Sequence, residues 1–147
     1  MLSIKHYSRV AAFALFCLPI VAGCEAEGPE LADVEGVVTL DGEPVPNATV
    51  TFISRRPDGS TSSGQTDAEG HYTLMYTFKK EGAMLGEHDV RVETQQFSPQ
   101  EKAELRAAGE TVVDAVKIPA KYTKVGELEA TVEAGGNEIN FELTSQP

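Results

Sequence analysis

The chain of 147 residues reads as an all-β protein, an antiparallel sandwich of about seven strands with one short helix inserted at about residues 99–108. Three observations predict this. From Val34 onward, apolar residues recur at alternate positions in several short runs, the period of a strand with one buried face. Clusters of Gly, Pro, Asp, Asn and Ser separate those runs. Only one segment carries helix start and stop signals, and many short strands with little helix favour a sandwich.

In order along the chain, "VEGVVTL" places Val34, Gly36, Val38 and Leu40 on one face. Asp41-Gly42 then supplies a turn, and Pro44 and Pro46 keep the crossing chain extended. "ATVTFIS" sets Ala48, Val50 and Phe52 opposite its threonines, a composition that suits a pleated surface. After the Gly- and Ser-rich "RRPDGSTSSGQTDAEG", the run "HYTLMYTF" alternates Tyr72, Leu74, Tyr76 and Phe78 with His71, Thr73, Met75 and Thr77. In that turn Asp67 can accept backbone N–H groups and Gly70 can take a positive φ. "GEHDVRVET" aligns His88, Val90 and Val92, with Gly86 at its start serving a bulge or close approach.

The helix signal is "SPQEKAELRAAG". Ser98 is an N-cap, Pro99 the first helical residue, Glu101 the capping-box partner and Gly109 the stop. It falls between strand runs, where a surface connection tolerates insertion. In "PAKY", Tyr122 is expected to pack inward with its hydroxyl bonded to backbone. Two last runs, Leu128-Ala130-Val132 and Ile139-Phe141-Leu143, are joined by "AGGN", which reads as a tight hairpin.

The N-terminus differs from all of this. Lys5 and Arg9 precede Val10 to Val21, twelve uncharged residues that as a helix reach roughly 18 Å, short of a bilayer core of about 30 Å. A basic segment, a short apolar segment and small residues before a cut site form an export signal. Here Ala22 and Gly23 precede Cys24, and cleavage is expected between Gly23 and Cys24. "VAGC" resembles the lipobox of bacterial lipoproteins, which implies that Cys24 becomes the new N-terminus and the site of lipid attachment. The expected organisation is a signal peptide over 1–23, a polar, acidic tether over 24–33, and a domain over 34–144. The expected location is the cell envelope, membrane-anchored through lipid at Cys24, on the periplasmic or outer face. Cys17 leaves with the signal and Cys24 is blocked, so the mature chain has no disulfide and must rely on its core.

Charge agrees with an exported surface protein. The chain has 23 acids against 12 bases, net −11; the signal takes two bases and no acid with it, leaving −13. Such a surface repels nucleic acid and anionic lipid headgroups, so neither is expected as a partner of the surface at large.

The stretches "VEGVVTLDGEPVPNATVTFIS", "GQTDAEGHYTL" and "GAMLGEHDVRVE" together resemble the carboxypeptidase regulatory-like domain, a transthyretin-like relative of the immunoglobulin sandwiches. "IPAKYTKVGELEATVEAGGNEINFEL" is similar to the C-terminal part of short bacterial lipoproteins built on that domain. The resemblance implies an accessory, non-catalytic sandwich, with other envelope proteins or glycans as partners.

No residue pattern argues for catalysis, and no cofactor or metal is expected. His71 and His88 lack the spacing of zinc sites. Transthyretin-like hydroxyisourate hydrolases end in a tyrosine-arginine-glycine-serine tail, whereas this chain ends "FELTSQP". The iron dioxygenases of related fold need two tyrosines and two histidines; Tyr72, Tyr76, Tyr122, His71 and His88 supply the types without the close spacing. Asp58, Asp67 and Glu69, in or beside the Gly-rich loop, leave open a loop-end module for calcium, a small ligand or a glycan, although turn chemistry accounts for such acids. Asn47 in "NAT" fits a glycosylation acceptor whose default meaning in a bacterial lipoprotein is none.

Overall fold

A computed structural model describes residues 28–112 and 114–146. Two six-stranded sheets face each other. The strands are β1 (Leu31–Leu40), β2 (Glu43–Pro44), β3 (Ala48–Ser54), β4 (Thr61–Gln65), β5 (His71–Thr73), β6 (Met75–Thr77), β7 (Lys80–Glu81), β8 (Ala83–Met84) and β9 (Gly86–Thr94). After the helix α1 (Pro99–Ala107) come β10 (Leu128–Val132), β11 (Gly136–Glu138) and β12 (Phe141–Leu143).

One sheet is ordered β10-β9-β3-β4-β6-β7. Its centre is the antiparallel pairing of β3 with β9, from Ala48 opposite Thr94 to Ser54 opposite His88. The other sheet is built on β1, which pairs antiparallel with β2, β5 and β8 and parallel with β11 and β12. Alternation decides which side chains meet between the sheets. Val34 and Val38 come from β1, Val50 and Phe52 from β3, and Val90 and Val92 from β9, all fully buried. Phe141 on β12 packs against both sheets: its ring lies 6.0 Å from Phe52 edge-on and 6.3 Å from Tyr72 in a stacked arrangement, geometries that aromatic quadrupoles favour.

The all-β sandwich, the inserted helix and the Asp41-Gly42 reversal are as expected, the last with φ of 52° and 86°. Other details differ from the sequence reading. "HYTLMYTF" is not one strand: β5 joins β1, whereas β6 joins β4 in the opposite sheet. The switch occurs at Leu74, whose N–H donates to Val34 O at 2.9 Å while its side chain is buried. Beyond that break the alternation no longer points inward, and Phe78 is 87% exposed.

"AGGN" likewise joins strands of different sheets, since β10 pairs with β9 and β11 with β1. Asn137 shapes this crossing, accepting the Glu133 N–H and donating to Glu133 O, both at 2.9 Å, and to Asp33 O at 3.2 Å. The pairings of β11 and β12 with β1 are therefore parallel, because the chain enters that sheet by a crossover. Finally, β1 begins at Leu31, within the segment read as tether, because Leu31 and Ala32 pair with Met84 and Ala83.

The registers define two ends of the sandwich. Leu31, Ser54 and Gly86 mark one, where the chain enters β1. Leu40, Ala48, Gln65 and Thr94 mark the other, about 30 Å away along the ten-residue β1. Among the described residues no helix is long and apolar enough to cross a membrane.

Candidate functional site

The predicted site residues separate into three groups. Gly23 and Cys24, with the whole 1–23 segment, lie outside the described residues. The histidines are described and lie apart. His71 is exposed on β5, whereas His88, on β9 of the other sheet, is 1% exposed. The His88 ring lies 5.7 Å from that of Phe52, and its Nδ1 is 3.0 Å from Gly86 O. Burial holds the His88 pKa below that of a free imidazole, opposed by the Gly86 carbonyl and the Asp89 charge.

The tyrosines have structural partners. Tyr72 donates its hydroxyl to Ile139 O at 2.7 Å, and burial pushes its pKa upward. Tyr122 is buried, and its hydroxyl accepts the Thr144 N–H at 3.1 Å, the inward packing and backbone bond expected of it. The acids near the Gly-rich loop are not gathered into one cage. Asp67 Oδ1 accepts from Glu69 N at 3.0 Å and His71 N at 2.8 Å, an Asx turn. Asp58 pairs with Arg56 at 3.3 Å beyond the opposite end of β4, a strand about 13 Å long. Among the described residues no three His, Cys, Asp or Glu side chains group as a metal site.

What the structure does assemble is a cleft that no single stretch announces. The chain leaves β9, passes Gln95 and Phe97, forms α1 and returns along 110–116. Ser98 caps the helix in a full capping box: its Oγ accepts Glu101 N at 3.3 Å, and Glu101 Oε2 accepts Ser98 N at 2.7 Å. No residue of α1 is buried, so side-chain ties fix the return segment. Lys102 pairs with Asp114, and Thr94 donates its hydroxyl to Val116 O at 2.6 Å.

Between this excursion and the β2–β3 turn lies a cleft of about 300 Å³. Its walls include Asn47, Gln65, Gln95, Phe97, Leu105 and Glu110. Asn47 sits in the turn with φ 55°, and Gln65 ends β4. The side-chain amides of Asn47, Gln65 and Gln95 are exposed and make no hydrogen bond to the chain among the described residues. Chemically this is a set of paired donors and acceptors beside one half-buried aromatic ring, with Glu110 and Asp114 making it unfavourable to anions. Sequence reasoning noted Asn47 as a sequon and missed the other two amides, whose only signal is their position at strand ends.

A model of the carboxypeptidase regulatory-like domain matches residues 33–118. No curated protein matches the chain. Among solved structures the chain is similar to a DUF3823 family protein from Parabacteroides merdae, at 10% identity and a TM-score of 0.44, covering 78% of this chain. The chain spans 46% of that protein's length.

Proposed function

The chain belongs to the carboxypeptidase regulatory-like domain family, and from that premise we propose that it is a non-enzymatic, lipid-anchored protein of the cell envelope with a structural or interaction role. The observation that carries the non-enzymatic reading is the separation of His71 and His88, one on the surface of one sheet and one in the core of the other. Hydrolytic or iron chemistry on this fold would draw on paired histidines, and here the two face different surroundings.

The anchor follows from the sequence around Cys24. A single acyl chain binds a bilayer marginally and reversibly, at about 0.8 kcal/mol per buried CH₂, whereas two or more hold a protein in place. A triacylated Cys24 therefore keeps the domain at the membrane, with only a short tether before β1. Mass spectrometry of the mature N-terminus and membrane fractionation test this. The expected species is acylated at Cys24 and membrane-bound, and Cys24→Ala releases or mislocalises it. A soluble, unmodified protein beginning at Cys24 would overturn the anchor.

A second reading is favoured by the cleft: a binding module for a neutral, polyhydroxylated ligand such as a glycan. Its free amides can each give and take hydrogen bonds, and half-buried Phe97 lines the cleft with them, an apolar ring of the kind that packs against sugars. Calorimetry against a panel of neutral glycans should show binding that Gln65→Ala and Phe97→Ala abolish. Heats no larger than dilution across the panel would leave the structural role alone.

A further inference from the structure

We propose that the β6–β7 turn is a second membrane contact, with Phe78 seated in the headgroup region of the bilayer and Lys79 and Lys80 against its phosphates. The inference rests on the lipid anchor at Cys24 proposed above.

Phe78 is 87% exposed at the tip of the turn, a position that costs a free domain apolar contact with water. Among the described residues the other exposed large hydrophobic is Val125, at 56%. Half-buried Leu31 and Met75 line the same depression as Phe78, among charged neighbours. Lys79 Nζ stands 5.1 Å from the ring centroid, and Lys80 follows at once. An aromatic ring flanked by lysines suits the interface, where the ring sits among headgroups and the ammonium groups reach phosphate.

The path of the chain brings this turn to the bilayer. A Cβ on Gly28 would lie 3.9 Å from Lys80 Nζ, so the chain at the first described residue lies beside the turn. Gly28 follows Cys24 by four positions, a reach of at most about 14 Å. The cleft lies at the opposite end of the sandwich, some 30 Å along β1, facing away from the membrane. Asp33 and Glu81 also line the depression and offset the two lysines. Seating of the ring, rather than net charge, therefore carries the contact.

The chain contains no tryptophan, so Phe78→Trp introduces a single reporter. The full-length lipidated protein is placed on phosphatidylethanolamine–phosphatidylglycerol vesicles containing brominated phosphatidylcholine. Flotation reports the anchor, and tryptophan emission reports the turn. The expected result is co-flotation with blue-shifted, bromine-quenched emission from Phe78→Trp, while Glu43→Trp at the far end is neither shifted nor quenched. Co-flotation of Phe78→Trp with its emission unquenched overturns the second contact and leaves the anchor standing. Failure to float overturns the anchor and the contact together. If Phe78→Trp does not fold, amide exchange of the unsubstituted protein decides: slower exchange over residues 75–81 on vesicles than in detergent supports the contact, and equal rates overturn it.

Discussion

The hydroxyl of Tyr122 ties the loop before β10 to the chain just past β12, accepting the Thr144 N–H at 3.1 Å and lying 3.2 Å from Thr144 Oγ1. The same residue's carbonyl accepts the Val92 N–H at 3.0 Å, so one tyrosine connects the end of each sheet. Tyr122→Phe keeps the ring and strands a partly buried N–H, which costs about 1–2 kcal/mol. Tyr122→Ala also opens a cavity and costs about 3 kcal/mol or more. Urea denaturation midpoints check the order, and equal midpoints for Tyr122→Phe and the unsubstituted protein would refute it.

Gly36 is a place where the two edges of β1 leave no room for a side chain. A Cβ there would sit 1.8 Å from Ile139 O, an oxygen that already accepts the Tyr72 hydroxyl. Both atoms are held, Ile139 N donating to Glu35 O at 2.8 Å, so the clash cannot be relieved by a rotamer change. Gly36→Ala should cost about 3 kcal/mol or more, beyond the usual range for overpacking. Gly136→Ala meets nothing within 4 Å and should stay within about 0.5 kcal/mol. Thermal unfolding of the two variants side by side gives the comparison.

The parts of the fold legible in the sequence are those that local rules determine. Alternation placed Val34, Val38, Val50, Phe52, Val90 and Val92 in the core, and capping chemistry placed α1 within a residue of its end. What was not legible depends on which sheet a strand joins. Nothing in "HYTLMYTF" marks Leu74 as a crossing point, because the cause is a hydrogen bond to Val34, forty residues earlier. The glycines of "AGGN" fit a hairpin equally well, and only the bond from Asn137 to Asp33 O reveals the crossover. The cleft was hidden for a related reason: Asn47, Gln65 and Gln95 are ordinary strand-end residues until the pairing of β3 with β4 and β9 in one sheet brings them side by side.

His88 makes stability depend on pH in a range where most carboxylates are silent. Its folded pKa lies below the unfolded value of about 6.5 because burial beside Phe52 disfavours the imidazolium. The unfolded chain then binds the proton more readily, so stability is fully present above about pH 6.5 and is lost as pH falls toward the folded value. Asp89 and Asp41, whose pKa values are lowered, weaken the fold in the same direction only in more acidic solution. Unfolding free energy should therefore decline between about pH 7 and pH 5, and His88→Asn should flatten the decline. The same slope in both proteins would remove His88 as its source.

The helix lends itself to a prediction about local rather than global stability. Because no residue of α1 is buried, its order depends on its own ends and on the Lys102–Asp114 pair. Ser98→Ala removes the acceptor for Glu101 N and should cost the helix about 1 kcal/mol, since an isolated helix of this length is marginal in water. The core is untouched, so the midpoint of global unfolding should move little. Amide exchange separates the two: Lys102 N, Ala108 N and Glu110 N, which close the helical bonds, should exchange about fivefold faster in Ser98→Ala, by the usual conversion of 1 kcal/mol. Exchange in β3 and β9 should be unchanged. Acceleration in those strands as well would show that α1 and the sandwich unfold as one unit, and the cleft between them would then be as rigid as the core.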